Sequence, residues 1–407
     1  MIAIQNVRLF DGENISKSAT VEVEGQHIAT VLSGETPPRT DSGCQIVDGR
    51  NHTLLPGLID AHTHVFGSVA NLRTALAFGV TTELDMFSFP PELTSLLYEV
   101  VEEDDGLADL LSAGSVVCKP GGHPTQLMTA LPTLSQPQEA EEFVAQRHKE
   151  GSRLLKLIFD NGRHAGFDLE MLDLDTASAA VRAGHARNMI CVAHACDIAA
   201  VRMALSAGVD ALTHVPVEGP LPEDVVRQCV QQGVTIIPTL TMMEMSTADT
   251  GRALAGDVLI SQNLSADDVH AIRCGREGLA VGSGDLRHAM ASTLRLHRAG
   301  VPVLAGTDAN NAPGRLSPVV HGASLHRELE LLVKAGLTPL EALASTTSGP
   351  ADLFNLTDRG RVEPGRNADL VLVAGDPTTD ITATRSITRV WRRGTPFDLD
   401  GFRASVT

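Results

Sequence analysis

Residues 54–64 read LLPGLIDAHTH. Pro56 and Gly57 break the chain, an apolar run follows, and two histidines end it. Side chains two positions apart on a strand point the same way. His62 and His64 therefore face together from the C-terminal end of a strand, an arrangement in which two imidazoles share a metal ion. An HxH pair alone is weak evidence in a chain with 15 histidines, and the apolar run before it is what gives it weight. Seven more runs share this texture: GVTTELDMF (79–87), GSVVCKPGG (114–122), RLLKLIFD (153–160), MICVAHACD (189–197), GVDALTHVP (208–216), GVTIIPTL (233–240) and VPVLAGTDA (301–309). Stretches between them, such as DTASAAVRAGHARN (175–188) and DVVRQCVQQG (224–233), carry apolar residues at helical spacing. Eight strands alternating with helices predict an α/β fold, a (β/α)8 TIM barrel over 56–358. An open doubly wound sheet is the competing architecture, but no GxGxxG turn follows an early strand.

The two ends have another character. Residues 1–55 alternate apolar and polar side chains, as in IAIQNVRLF and ATVEVEGQHIATV, and 359–407 repeat the pattern. Both ends together predict one small, discontinuous β-sheet domain. The stretch 241–289 is long for a strand-to-helix connection and reads as an insertion over the barrel mouth.

Composition narrows the function. The chain has 407 residues, 43% hydrophobic and 20% charged, as an ordinary globular protein does. A formal net charge of −18 argues against nucleic acid or an anionic membrane as partner, since both demand basic patches. One Trp and one Tyr leave no base-stacking platform. The start lacks a basic region followed by a long apolar one, and no membrane-length apolar run exists, so a cytoplasmic location is expected. The six cysteines (Cys44, Cys118, Cys191, Cys196, Cys229, Cys274) show no CxxC spacing and are expected as reduced thiols.

Further candidates lie at the ends of the other runs. His194 and His214 close two of them, and each alone reads equally as a satisfied core histidine. Asp308 closes VPVLAGTDA, where a buried carboxylate demands a partner. Lys156 sits among apolar residues, where a charge is expensive. It either snorkels outward or is neutral and carbamylated by CO2. His123 follows two glycines and is a candidate for substrate contact or catalysis. Arg163 and His164 are candidates to read a substrate carboxylate. Asp85 and His321 are weaker, and His321 equally caps or packs a helix. Met242, Met243 and Met245 either line an adaptable pocket or simply pack.

Taken in order, these motifs resemble the amidohydrolase superfamily, in its prolidase-like and imidazolonepropionase-like branch. The resemblance spans nearly the whole chain. It rests on LLPGLIDAHTH, GVTT, LLKL, AHA, LTH and AGTDA, and on the tail LTPLEALASTTSGPADLFNL followed by GRVEPGRNADLVLVAGDP. It implies the barrel above with a small β-sandwich built from both termini. It also implies a binuclear centre of two divalent ions, zinc being expected. His62, His64 and Asp308 would hold the more buried ion and His194 and His214 the second. Carbamylated Lys156 and a hydroxide would bridge them. Single-metal relatives lack this lysine. The implied activity is hydrolysis of an amide C–N bond in a dipeptide, an N-acyl amino acid or a cyclic amide, with Asp308 as base and acid. A lactonase or esterase would use the same site. A single-metal deaminase is disfavoured by Lys156, and a non-catalytic scaffold by the intact ligand set. Family habit implies a homo-oligomer.

Overall fold

The computed structural model describes residues 1–34, 43–128, 130–163, 166–247, 252–275, 284–312 and 317–406. The chain opens with β1 (Ile2–Phe10), β2 (Ile15–Glu24), β3 (His27–Ser33), β4 (Gln45–Asp48) and β5 (His52–Pro56). Next come β6 (Leu58–Thr63), β7 (Val80–Asp85) and β8 (Asp109–Ser112), which form one parallel sheet. β9 (Leu155–Phe159), β10 (Cys191–Ala195), β11 (Ala211–Thr213) and β12 (Thr235–Ile237) form a second. Finally β13 (Leu370–Ala374), β14 (Ile387–Arg392) and β15 (Thr395–Pro396) return to the first strands. Hydrogen bonding gives the order β15-β14-β13-β5-β1-β2-β3, with β4 added beside β1. The two ends of the chain thus share one continuous sheet. Its alternating residues bury Ile4, Val7, Val21, Leu54, Leu370, Leu372 and Trp391 in a core of their own.

Backbone hydrogen bonds also link the two parallel sheets. Arg153 N donates to Ser112 O at 2.9 Å and Val117 N to Lys156 O at 2.8 Å, so the chain beyond β8 runs beside β9. On the far side, residues 302–309 bond in both directions. Leu304 N donates to Ile236 O at 2.9 Å, while Ala61 N donates to Ala305 O at 3.0 Å and Asp308 N to His62 O at 2.8 Å. Gly306 permits this approach. A Cβ there would lie 2.5 Å from Ile237 Cγ2 and 2.9 Å from the His62 backbone nitrogen.

Helices follow the strands: α1 (Val69–Ala77), α2 (Pro91–Glu103), α3 (Ala140–Lys149), α4 (Leu174–His185), α5 (Ile198–Ala207), α6 (Glu223–Gln232) and α7 (Leu240–Met245). Their ends follow capping chemistry. Ser68, Asp173 and Asp197 accept from backbone N–H groups at the starts of α1, α4 and α5, and left-handed Gly208 and Gly233 end α5 and α6. Short helices at Arg252–Ala255, Val258–Ser261 and Ala266–Cys274 occupy the stretch expected as an insertion, of which 248–251 and 276–283 lie outside the described residues. Asn311 Nδ2 donates to Asp268 Oδ1 at 3.2 Å, which ties this stretch to the loop after Asp308. Met242, Met243 and Met245 are buried in the main apolar core and serve as packing. All six cysteines are free thiols. Among the described residues, no helix is long and apolar enough to cross a membrane.

Buried charges fix α7. The Glu328 carboxylate accepts from Leu240 N (2.9 Å), Thr241 N (2.7 Å) and Thr241 Oγ1 (2.9 Å). These bonds satisfy amides at the helix start that would otherwise be buried without partners. Arg327 Nε donates to Glu244 Oε2 at 3.0 Å, and Glu244 is fully buried. Losing one partner of such a pair strands a buried charge and costs about 3–5 kcal/mol, whereas apolar replacement of both is close to neutral. Arg327→Met is therefore expected to lower the thermal midpoint by many degrees. Adding Glu244→Met should recover most of the loss, both read by calorimetry; equal losses in single and double variants would refute this account.

Candidate metal centre

Five of the candidate ligands come together in two groups near strand ends, and Lys156 lies within β9 beside them. In the first, His64 Nε2 lies 3.0 Å and His62 Nε2 3.4 Å from the same oxygen, Asp308 Oδ1. The ring centroids of His62 and His64 are 5.3 Å apart. Burial, with the Lys156, His214 and His64 charges adding to it, holds His62 well below the ordinary histidine range, so its ring is neutral. The Nδ1 atoms of both rings are buried with no hydrogen-bond partner among the described residues. A carboxylate oxygen faced by two imidazole nitrogens is satisfied by N–H donors or by a cation. The donor set suits a divalent ion.

In the second group, His194 Nδ1 lies 2.9 Å from His214 Nε2. His214 Nδ1 lies 2.8 Å from the Thr239 hydroxyl. In the tautomer where Nδ1–H donates to Thr239, Nε2 turns a lone pair toward His194. Desolvation keeps His214 neutral as well. The His62 and His214 centroids are 5.1 Å apart, so the two groups adjoin. Asp308, His214 and Thr239 have φ of 62°, 72° and 48°, in the left-handed region. Such residues persist only where the surroundings over-determine them, and they cluster at functional sites.

Lys156 points inward rather than snorkelling. It is 2% exposed, and its Nζ donates to Thr213 Oγ1 at 2.7 Å, which in turn donates to Ala193 O at 3.1 Å. Burial lowers its pKa to about 7, although Asp308 pulls the other way. A large share of the amine is then neutral near neutral pH, the form that reacts with CO2.

His123 lies over the second group. Its ring stacks on His194 with centroids 5.6 Å apart and planes inclined by 25°, and its Nδ1 is 2.8 Å from Gln126 Nε2. Burial and the neighbouring His194 push its pKa down to about 4.

Other candidates fall elsewhere. The expectation that His321 contacts substrate does not fit the structure. It is fully buried, with Nδ1 2.9 Å from Glu83 and Nε2 3.2 Å from the His64 carbonyl, so no polar atom is left for a ligand. It instead fixes the backbone of His64. Asp85 is likewise structural: it accepts from Val65 N at 3.1 Å and Ser112 Oγ at 2.6 Å. Arg163 is largely exposed and pairs with Asp168 at 3.4 Å. His164 lies outside the described residues.

Three participants were not singled out in the sequence. Asp160 Oδ2 lies 3.3 Å and Cys196 Sγ 3.2 Å from His194 Nε2. Asp60 accepts from Thr307 N (3.0 Å), Thr307 Oγ1 (2.7 Å) and His62 N (3.2 Å), clasping β6 to the Asp308 segment. The period of two was the available signal. Asp60 precedes His62 by two, Cys196 follows His194 by two, and Asp160 follows Lys156 by four.

Known proteins resemble this chain over most of its length. The model of the amidohydrolase family matches residues 53–396. An uncharacterised protein of Mycobacterium tuberculosis is 26% identical over 365 residues, covering 84% of this chain and 88% of its own. An imidazolonepropionase of Anaeromyxobacter dehalogenans is 29% identical over 377 residues, covering 87% of this chain and 83% of its own. Among solved structures, a Xaa-Pro dipeptidase with bound methionine in the active site superposes with a TM-score of 0.78 at 20% identity. That likeness is one of fold and covers 97% of this chain and 99% of the other. With the family model matching most of its length, the chain belongs to the amidohydrolase family and is a hydrolase acting on carbon–nitrogen bonds.

Proposed function

We propose that this chain is a metal-dependent amidohydrolase cleaving the amide bond of a small substrate: a dipeptide, an N-acyl amino acid or a cyclic amide. Its frame would be a (β/α)8 barrel over 56–358, closed by residues 302–309 between β12 and β6. Residues 1–55 and 359–407 would form the smaller β domain. The observation that carries this reading is the grouping of His62 and His64 with Asp308 and of His194 with His214, with the buried Lys156 amine close enough to act on both His62 and His214. The imidazolonepropionase relatives favour a cyclic amide, and the dipeptidase fold neighbour keeps a peptide-like one in view.

His62, His64 and Asp308 would hold one divalent ion, and His194 and His214 a second. Carbamylated Lys156 would lie between them. Zinc suits these imidazole and carboxylate donors. Bound there, the ions would supply a water acidified toward neutral pH and a Lewis-acid contact for the scissile carbonyl. Asp308 takes the proton from the attacking water and returns it to the leaving nitrogen. His123, uncharged and with Nδ1 held by Gln126, donates its Nε2–H to the carbonyl oxygen as negative charge gathers there. Thr213 holds the Lys156 nitrogen in place, and Asp60 and His321 hold the backbones of His62 and His64.

The direct test is a hydrolysis panel of Xaa-Pro dipeptides, N-acyl amino acids and cyclic amides, run on metal-loaded and exhaustively chelated protein. Turnover confined to the loaded form is expected, and equal turnover in both would reject the metal mechanism. General acid–base catalysis contributes about 10²–10⁴-fold. Asp308→Asn should therefore lower kcat by at least about 100-fold on any substrate of the wild type. A loss under tenfold would assign the proton transfer to another group. Lys156→Met keeps the apolar bulk and removes the amine. It should retain the thermal midpoint while bound metal falls from about two equivalents toward one; unchanged metal content would remove Lys156 from the centre.

A further inference from the structure

The two halves of this centre are chemically unequal. The His62 group offers two nitrogens and an oxygen. The His194 group offers two nitrogens and a sulfur, because His194, Cys196 and His214 each present a donor atom within 4.8 Å of the others. Cys196 lies one residue beyond the end of β10 and two beyond His194, so the strand period sends both side chains to one side. Its Sγ approaches His194 Nε2 to 3.2 Å, while His194 Nδ1 faces His214. Cys196 is half-buried.

We propose that Cys196 is a thiolate ligand to the metal ion held by His194 and His214. This rests on the metal-dependent reading above and extends it to a residue that reading does not use. As the Sγ–metal bond forms, the thiol proton leaves to solvent, and the bond's electron pair comes from sulfur. The consequence is metal selectivity. A site with two imidazoles and a thiolate is soft and suits zinc or cobalt, whereas manganese and magnesium prefer oxygen donors. The His62, His64 and Asp308 position has no such bias. The two positions are therefore expected to differ in which ions they accept. The competing role for Cys196 is a hydrogen bond to His194 Nε2, shared with Asp160 and without contact to metal.

X-ray absorption on the zinc-loaded wild-type chain separates the two. Ligation predicts a sulfur scatterer at about 2.3 Å alongside nitrogen and oxygen at about 2.0–2.1 Å. Loaded with cobalt instead, the wild type should show a near-ultraviolet thiolate-to-cobalt charge-transfer band. Cys196→Ser should lose that band and keep the visible ligand-field bands. Bound metal with only nitrogen and oxygen neighbours would overturn this inference and leave the amidohydrolase reading intact. A charge-transfer band undiminished in Cys196→Ser would place the thiolate elsewhere, with Cys191 beside His185 and Asp210 the alternative, and would also overturn it. Failure to bind zinc or cobalt at all would overturn both.

Discussion

The centre depends on one seam. Residues 302–309 join β6 through Ala61 N to Ala305 O and Asp308 N to His62 O. Asp60 clamps the seam from within by accepting from Thr307 and His62. Burial and the Glu83 charge raise the Asp60 pKa to about 8, so the carboxyl holds its place against a sizeable desolvation penalty. Hydrogen bonds to backbone N–H and hydroxyl groups offset part of that penalty. Without this pairing His62 and Asp308, 246 residues apart in sequence, would have no fixed distance between them.

Much of the surrounding chemistry keeps the candidate ligands still rather than touching a substrate. Glu83 holds His321, and His321 holds the His64 carbonyl. Thr239 holds His214, and Glu328 holds the turn of helix that begins just after Thr239. Each support is a buried polar group with its partners in place, which is the condition under which such groups stiffen a core. The low tolerance of burial for charge also explains why His62 and His214 are neutral. The form that ligates a cation is the form the interior prefers.

The parts legible in the sequence were those governed by short-range periodicity. LLPGLIDAHTH announced a strand with two imidazoles on one side, and the alternating ends announced sheet. The placement of Lys156 was open, because apolar neighbours are compatible with snorkelling as well as burial. Its bond to Thr213 crosses 57 residues and has no local signature. His321 misled for the same reason. Nothing within a few residues of it points to Glu83, 238 positions earlier, yet that contact decides its role. Asp160 and Cys196 obeyed the period of two, but a carboxylate or a thiol at a strand end is commonplace until a histidine is seen beside it.

Gly306 carries a consequence for how this protein can diverge. Any side chain there would strike Ile237 and the backbone of His62, so the floor beneath the histidines has no slack. Change at this position is therefore closed to the sequence, and tolerated variation falls on the segments that connect the strands. The Asn311–Asp268 tether joins the Ala266–Cys274 helix directly to the segment that carries Asp308.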